Sequence, residues 1–369
     1  MGLQNPDPQF KSGWYLQKRR FVFLTKRRFF CACNQSKIVE LKNRIYPGDE
    51  VCMREDTKEL LKRYDEIGAL ILEQKLDEFG DKLDQKPEGV DDVTYEEYIQ
   101  RLAKEETDMA TVKLENEPDE RLGDKSMRQV WDEMSFEEKT ETLEYSALNL
   151  DRGVPQSLVS SIASEPADTV RDYCGRIIGE CAWTEEEMSD ENVLFEMQFQ
   201  KAIACFDVLT QMKEPCFIQA VLDRYMSYGK TREFVAESIA GYVEAFPEVS
   251  EPFLINIIET NVDSGLEGPC EDVVIMLTEI GKEHKTEEIY QTLRHAFRYM
   301  TNKIYAVICL ADYGDDRAVQ MFKNYINRNQ KTIERDLFYE MMSAIQHLGG
   351  DISDIQDPFG DFQKKKGSN

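Results

Sequence analysis

Residues suited to chemistry are few in this chain, and their spacing argues against most reactions. The three histidines are His284, His295 and His347. His284 sits in a turn between Glu283 and Lys285. His347 adjoins the end of the final helix, where the helix dipole favours a cation in any case. Neither has a second His at metal-ligand spacing, so structural or solvated roles are expected. Cys31 and Cys33 form a close thiol pair, but without a second pair they do not make a zinc site. Asp351, Asp354, Asp357 and Asp361 suggest a cation loop. The alternating Asp pattern and terminal Glu of a calcium loop are missing, so a solvated acidic tail is expected. No glycine-rich phosphate loop or nucleophile elbow occurs. No cofactor, metal or catalytic residue is therefore assigned.

Another constellation suits binding. Tyr290, Arg294 and Arg298 recur at i, i+4 and i+8, which places them on one stripe of a helix. Ile289, Leu293, Phe297 and Met300 form the apolar stripe of the same helix. Tyr325 and Arg328 follow in the next unit, and Arg224 and Tyr228 precede in an earlier one. Tyr and Arg are enriched at the energetic centres of protein interfaces. If these helices line one surface, the seven residues converge on it. The competing expectation is that each Arg pairs with one of the many nearby acids.

The elements that must position these residues are helices. From residue 36 onward nearly every stretch has helical periodicity, and no strand of period two is found beyond residue 33. Leu60, Leu61, Tyr64, Ile67 and Ile71 recur at three and four, predicting a long helix capped by Asp56 or Thr57 and ending near Phe79. Thr94 with Glu97, Ser126 with Gln129, Ser135 with Glu138 and Thr184 with Glu187 have the capping-box spacing. Residues 73–144 hold 24 acids and 10 bases. Residues 115–120, Glu-Asn-Glu-Pro-Asp-Glu, are the least apolar part; a solvated face plus a loop is expected there, with a flexible joint as the alternative.

The later half repeats. "CFDVLTQM", "IAGYVEAF", "VVIMLTEIG", "VICLADYG" and "MSAIQHLG" align on Leu209, Val243, Leu277, Leu310 and Ile345, spaced 34, 34, 33 and 35 residues apart. Such a period marks stacked helical hairpins, because one hairpin cannot bury its own apolar face. Pro215, Pro247, Gly281, Gly314 and Gly349 mark the turns. Residues 306–326, "AVICLADYGDDRAVQMFKNYI", resemble a HEAT-like repeat of the subtype named after phycobilisome lyases, through Leu310, Ala311, Gly314, Asp315, Arg317, Ala318 and Val319. "MMSAIQHLGGD" is a partial copy, and the two earliest units have Pro where the pattern has Gly-Asp. The resemblance implies an α-solenoid whose second helices line a concave surface. It implies no activity, since the pattern hosts many functions.

The formal charge of the 369-residue chain is −26. Residues 14–33 hold six bases and no acid, so the remainder is more acidic still. Such a body repels nucleic acid and anionic lipid, and favours basic protein partners or partners that dock by apolar contacts. For residues 1–35 four readings stand: an arm clinging to the acidic body, a start assigned too early, a cleaved organelle leader, or a tether to membrane or nucleic acid. Nine Cys, most among apolar neighbours, indicate free thiols in a reducing, cytoplasmic setting. No apolar run is long enough to span a membrane.

The expected fold is all-α: a basic arm over residues 1–35, a helical N-terminal segment over 36–122, HEAT-like repeats over 123–350 and a polar tail over 351–369. The expected function is a non-catalytic protein-interaction scaffold. The alternative is a HEAT-like repeat enzyme or enzyme subunit, glycosylase-like or protein-modifying. The acidic charge and the missing catalytic motifs disfavour it.

Overall fold

A computed structural model describes residues 53–83, 92–120, 123–150, 152–181, 193–228 and 233–360. The basic N-terminal stretch, Cys31, Cys33 and the capping box expected at Thr184 lie outside the described residues. The described residues form fifteen α-helices and no sheet; their β features are limited to an isolated bridge between Asp119 and Lys125. The chain divides into two units between Cys216 and Phe217.

The first unit contains α1 (Glu55–Leu83), α2 (Asp92–Asn116), α3 (Met127–Asp132), α4 (Phe136–Asn149), α5 (Gln156–Ala163), α6 (Ala167–Glu180) and α7 (Val193–Met212). Helix α1 buries Leu61, Tyr64 and Ile67 of the expected stripe, while Leu60 and Ile71 are half-buried. Helices α1 and α2 are antiparallel partners: Tyr64 meets Glu115 near one end of the pair, and Lys75 meets Glu106 at 3.0 Å near the other. Two of the expected capping boxes form. Ser126 and Gln129 bond reciprocally ahead of α3, as do Ser135 and Glu138 ahead of α4, each satisfying two otherwise orphaned backbone N–H groups. Thr94 falls inside α2, which starts three residues earlier than its capping box implied.

The solvated stretch expected over residues 115–120 begins instead with a buried anchor. Glu115 is 2 % exposed. Its carboxylate accepts the Tyr64 hydroxyl at 2.5 Å, the Ser157 N–H at 2.5 Å and the Gln156 N–H at 3.3 Å. Helix α5 starts after Pro155, which supplies no side-chain cap. Glu115 therefore caps α5 from another helix, where an anion also complements the helix dipole. Beside it, Arg152 donates to the Gly68 carbonyl at 2.9 Å and to Thr111 Oγ1 at 2.8 Å. These bonds tie α1, α2 and α5 together across the expected boundary near residue 122.

The second unit contains α8 (Ile218–Tyr228), α9 (Glu233–Glu244), α10 (Pro247–Thr260), α11 (Pro269–Glu283), α12 (Glu287–Tyr299), α13 (Lys303–Tyr313), α14 (Arg317–Asn329) and α15 (Arg335–His347). Odd helices pack on odd ones: α9 on α11, α11 on α13, α13 on α15. Among the even helices α8 packs on α10 and α10 on α12. The residues that set the sequence period, Val243, Leu277, Leu310 and Ile345, are all fully buried in this unit, and Leu209 is fully buried in the first.

Gly314 ends α13 at φ 75°, the left-handed conformation that a side chain would strain. Gly281 does something other than the expected turn, because α11 continues to Glu283. A Cβ there would stand 2.7 Å from the Tyr313 ring, so this glycine permits close approach of α13. Cys309 is buried against Thr278, and burial pushes its thiol up to about 12, so it packs as an unionised group. Past α15 the chain folds back: the Phe359 ring packs on Phe338 at 5.7 Å, and Asp354 pairs with Lys323 at 2.7 Å. The tail therefore covers part of the apolar surface of α15.

Glu340 on α15 is half-buried, with Oε1 unpartnered among the described residues and Asp312 of α13 facing it. Burial first, and then the Asp312 charge, raise its carboxyl from the ordinary 4.5 to about 7. Below the ordinary value both folded and unfolded chains hold the proton, and Glu340 has no pH-dependent effect. Between the two values the unfolded chain releases the proton that the folded chain keeps, so stability falls as pH rises. The loss is at most about 3 kcal/mol and is complete above pH ~7. Glu340→Gln is expected to unfold at higher urea than the parent near pH 8 and to match it near pH 4, with the pH-dependent gain vanishing at acid. Equal midpoint differences at both pH values would refute the assignment.

Candidate functional site

Helices α10, α12 and α14 run parallel and side by side, as contacts at both ends require. Glu251 near the start of α10 takes the Thr286 hydroxyl at 2.6 Å and lies 3.0 Å from His284 Nε2, just ahead of α12. Glu259 near the end of α10 lies 2.8 Å from His295 Nδ1 on α12. Arg317 at the start of α14 pairs with Glu287 at the start of α12, 2.9 Å apart. Near their ends the Phe297 and Tyr325 rings meet edge to face, with centroids 5.4 Å apart. The apolar stripe of α12 turns inward as expected, with Ile289, Leu293, Phe297 and Met300 all buried.

This packing places four of the seven expected binding residues on the adjoining helices α12 and α14. Arg294 and Arg298 are exposed on α12, Arg328 is exposed in the last turn of α14, and Tyr325 is half-buried between them. Tyr290 does not join them. It is 4 % exposed, with the Arg317 guanidinium 3.7 Å above its ring and the Tyr313 ring beside it. Arg317 is held over it by Asp315 and Glu287, so Tyr290 is a packing residue and no partner reaches its face. The same ion pairs hold the Asp315 carboxyl below the usual carboxylate range through the Arg317 hydrogen bond; for Glu287 the Gln291 hydrogen bond contributes first and Arg317 second. Arg224, on α8, is half-buried and already engaged. The Tyr228 side chain lies outside the described residues. Helix α10 packs between α8 and α12, so the α8 pair is set apart from the rest.

The expectation that every arginine finds an acid holds for Arg63, Arg171, Arg176 and Arg317. It fails on this face. Among the described residues, Arg294 hydrogen-bonds only Gln291 Oε1, at 3.2 Å, and the Arg298 and Arg328 side chains have no partner. The helix dipole favours Arg298 and Arg328, which lie in last turns, by about 0.3–1 kcal/mol each, but gives no reason for Arg294 further back. Nor is Arg298 needed as a cap. Lys303 Nζ already satisfies the end of α12, donating to the carbonyls of Arg298 at 2.9 Å and Met300 at 2.6 Å.

Arg294, His295 and Arg298 line a surface hollow of ≈ 290 Å³ with Glu259, Gln291 and Thr292. Tyr325 and Lys303 border a second hollow of ≈ 270 Å³ at the ends of α12 and α14. His295 and Tyr299, whose rings meet edge to face at 4.7 Å, were missed as site residues, and Tyr299 is 42 % exposed. A signal for this face was present in the chain. Residues 291–311 hold three Lys or Arg and no Asp or Glu, and residues 317–333 hold four and none. That is a local reversal of sign in a strongly acidic protein. The described residues contain no cluster of His, Cys, Asp and Glu able to hold a metal, and none of their helices is long and apolar enough to cross a membrane. Comparison with protein-family models, curated proteins and solved structures finds no match to this chain.

Proposed function

We propose that this chain is a non-catalytic protein-binding scaffold, a HEAT-like α-solenoid whose second helices form the binding face. Support for the repeat comes from the 33- to 35-residue spacing, the complete burial of its marker positions, and the alternate packing of helices after residue 217. The buried, free thiols of Cys174, Cys205 and Cys309 suit a reducing, cytoplasmic setting.

One observation carries the functional reading. Arg294, Arg298 and Arg328 are exposed and, among the described residues, lack a carboxylate partner in a chain with 71 acids to 45 bases. With acid in such excess, an exposed guanidinium left unpaired is available to a partner, and Arg is among the residues whose truncation costs interfaces most.

Joint replacement of Arg294, Arg298 and Arg328 by Ala tests the reading. Partner proteins retained by the immobilised parent should be lost by the variant, with about 2 kcal/mol lost per central arginine and no change in thermal melt. Retention of the same proteins by both would remove this face from the function.

A further inference from the structure

We infer that the α12–α14 face docks an acidic segment of a partner protein, with Arg294, Arg298 and Arg328 gripping its carboxylates and Tyr299 and Tyr325 flanking its side chains. This rests on the protein-binding reading and fixes the chemistry of the partner. It also departs from the basic partner that whole-chain charge favoured.

Long-range field and contact chemistry differ in range. At physiological ionic strength the screening length is about 8 Å, so acids elsewhere on the protein are largely screened from this face. What a docked segment meets is local. Exposed charge on α12 is acidic in the first turn, at Glu287 and Glu288, and basic afterwards. Arg317 neutralises Glu287 on the spot. Glu259, the acid within the hollow, already faces His295. The free charge left over the last turns of α12 and α14 is therefore cationic. Guanidinium groups bind carboxylates through paired N–H donors, which makes short, oriented, charge-assisted bonds. The bases in this stretch whose charge is already spent are separate: Lys323 holds Asp354, and Lys303 caps α12.

A nucleic acid fits less well. Tight phosphate-backbone binding uses about 6–10 basic contacts along a track, whereas the unpaired arginines here are three, on two neighbouring helices, with Glu259 in the hollow between α10 and α12. A short peptide bearing a few carboxylates and an aromatic residue matches that extent.

The test uses the full chain and a fluorescein-labelled glutamate-rich peptide containing one phenylalanine, read by anisotropy. Its glutamine counterpart, a lysine-rich peptide and a labelled single-stranded oligonucleotide are run in parallel. The glutamate peptide should bind and weaken as salt rises. Arg298→Glu and Arg328→Glu should each weaken it by at least about tenfold, while Arg63→Glu on α1 leaves it unchanged. Absence of binding, binding indifferent to the arginine reversals, equal binding of the glutamine peptide, or preference for the oligonucleotide would each overturn the inference. Concentration-dependent self-association abolished by Arg298→Glu would overturn it in favour of a second copy of this chain. Binding of the lysine peptide that is lost in the joint alanine variant would sink the acidic partner while leaving the binding face intact.

Discussion

Leu277→Asp should abolish the cooperative unfolding transition of the unit that begins at Phe217. Leu277 is fully buried on α11, which packs against α9, α10, α12 and α13. Removing the side chain alone costs about 2–5 kcal/mol through lost burial and the cavity left behind. Placing a carboxylate in this buried position costs several kcal/mol more. The total approaches the ~5–15 kcal/mol that holds an ordinary domain together. Leu277→Met keeps volume and polarity and should cost less than about 1.5 kcal/mol. The pair separates loss of packing from tolerance of the site. A thermal melt of the aspartate variant matching the parent would remove Leu277, and with it the register of the repeat, from the core.

Glu115→Ala is expected to destabilise the first unit by about 3–5 kcal/mol, since it strips a buried acceptor from its donors. The Tyr64 hydroxyl and the backbone N–H groups of Gln156 and Ser157 would be left without a partner in the interior. Tyr64→Phe, which removes one donor and leaves the cap of α5 in place, should cost only about 0.5–1.5 kcal/mol. Urea titration measures both, and hydrogen exchange at the Ser157 amide reports the cap directly. If the alanine variant unfolded at the parent's midpoint with Ser157 still protected, the capping role would be wrong.

Parts of this architecture are legible in the chain for a physical reason. Helical periodicity, the capping boxes at Ser126 and Ser135 and the left-handed turn at Gly314 depend on residues within a turn or two of each other. Leu209, Val243, Leu277, Leu310 and Ile345, picked out by their regular spacing, are all fully buried. The exposed face of α12 was half legible. The stripe of Arg294 and Arg298 was read correctly as facing away from the apolar side, because that needs only the helix period.

The rest was decided by which helices adjoin. Tyr290 occupies the same stripe as Arg294, yet Arg317, 27 residues later in sequence, closes over it. Glu115 looks like part of a solvated acidic run until α5 brings two backbone N–H groups to it from 41 and 42 residues away. Sequence alone determined that this protein is helical, repetitive and acidic, since those properties are local or additive. Tertiary structure alone decided which arginines are left unpaired, because pairing a charge depends on distances between side chains that no spacing along one helix contains.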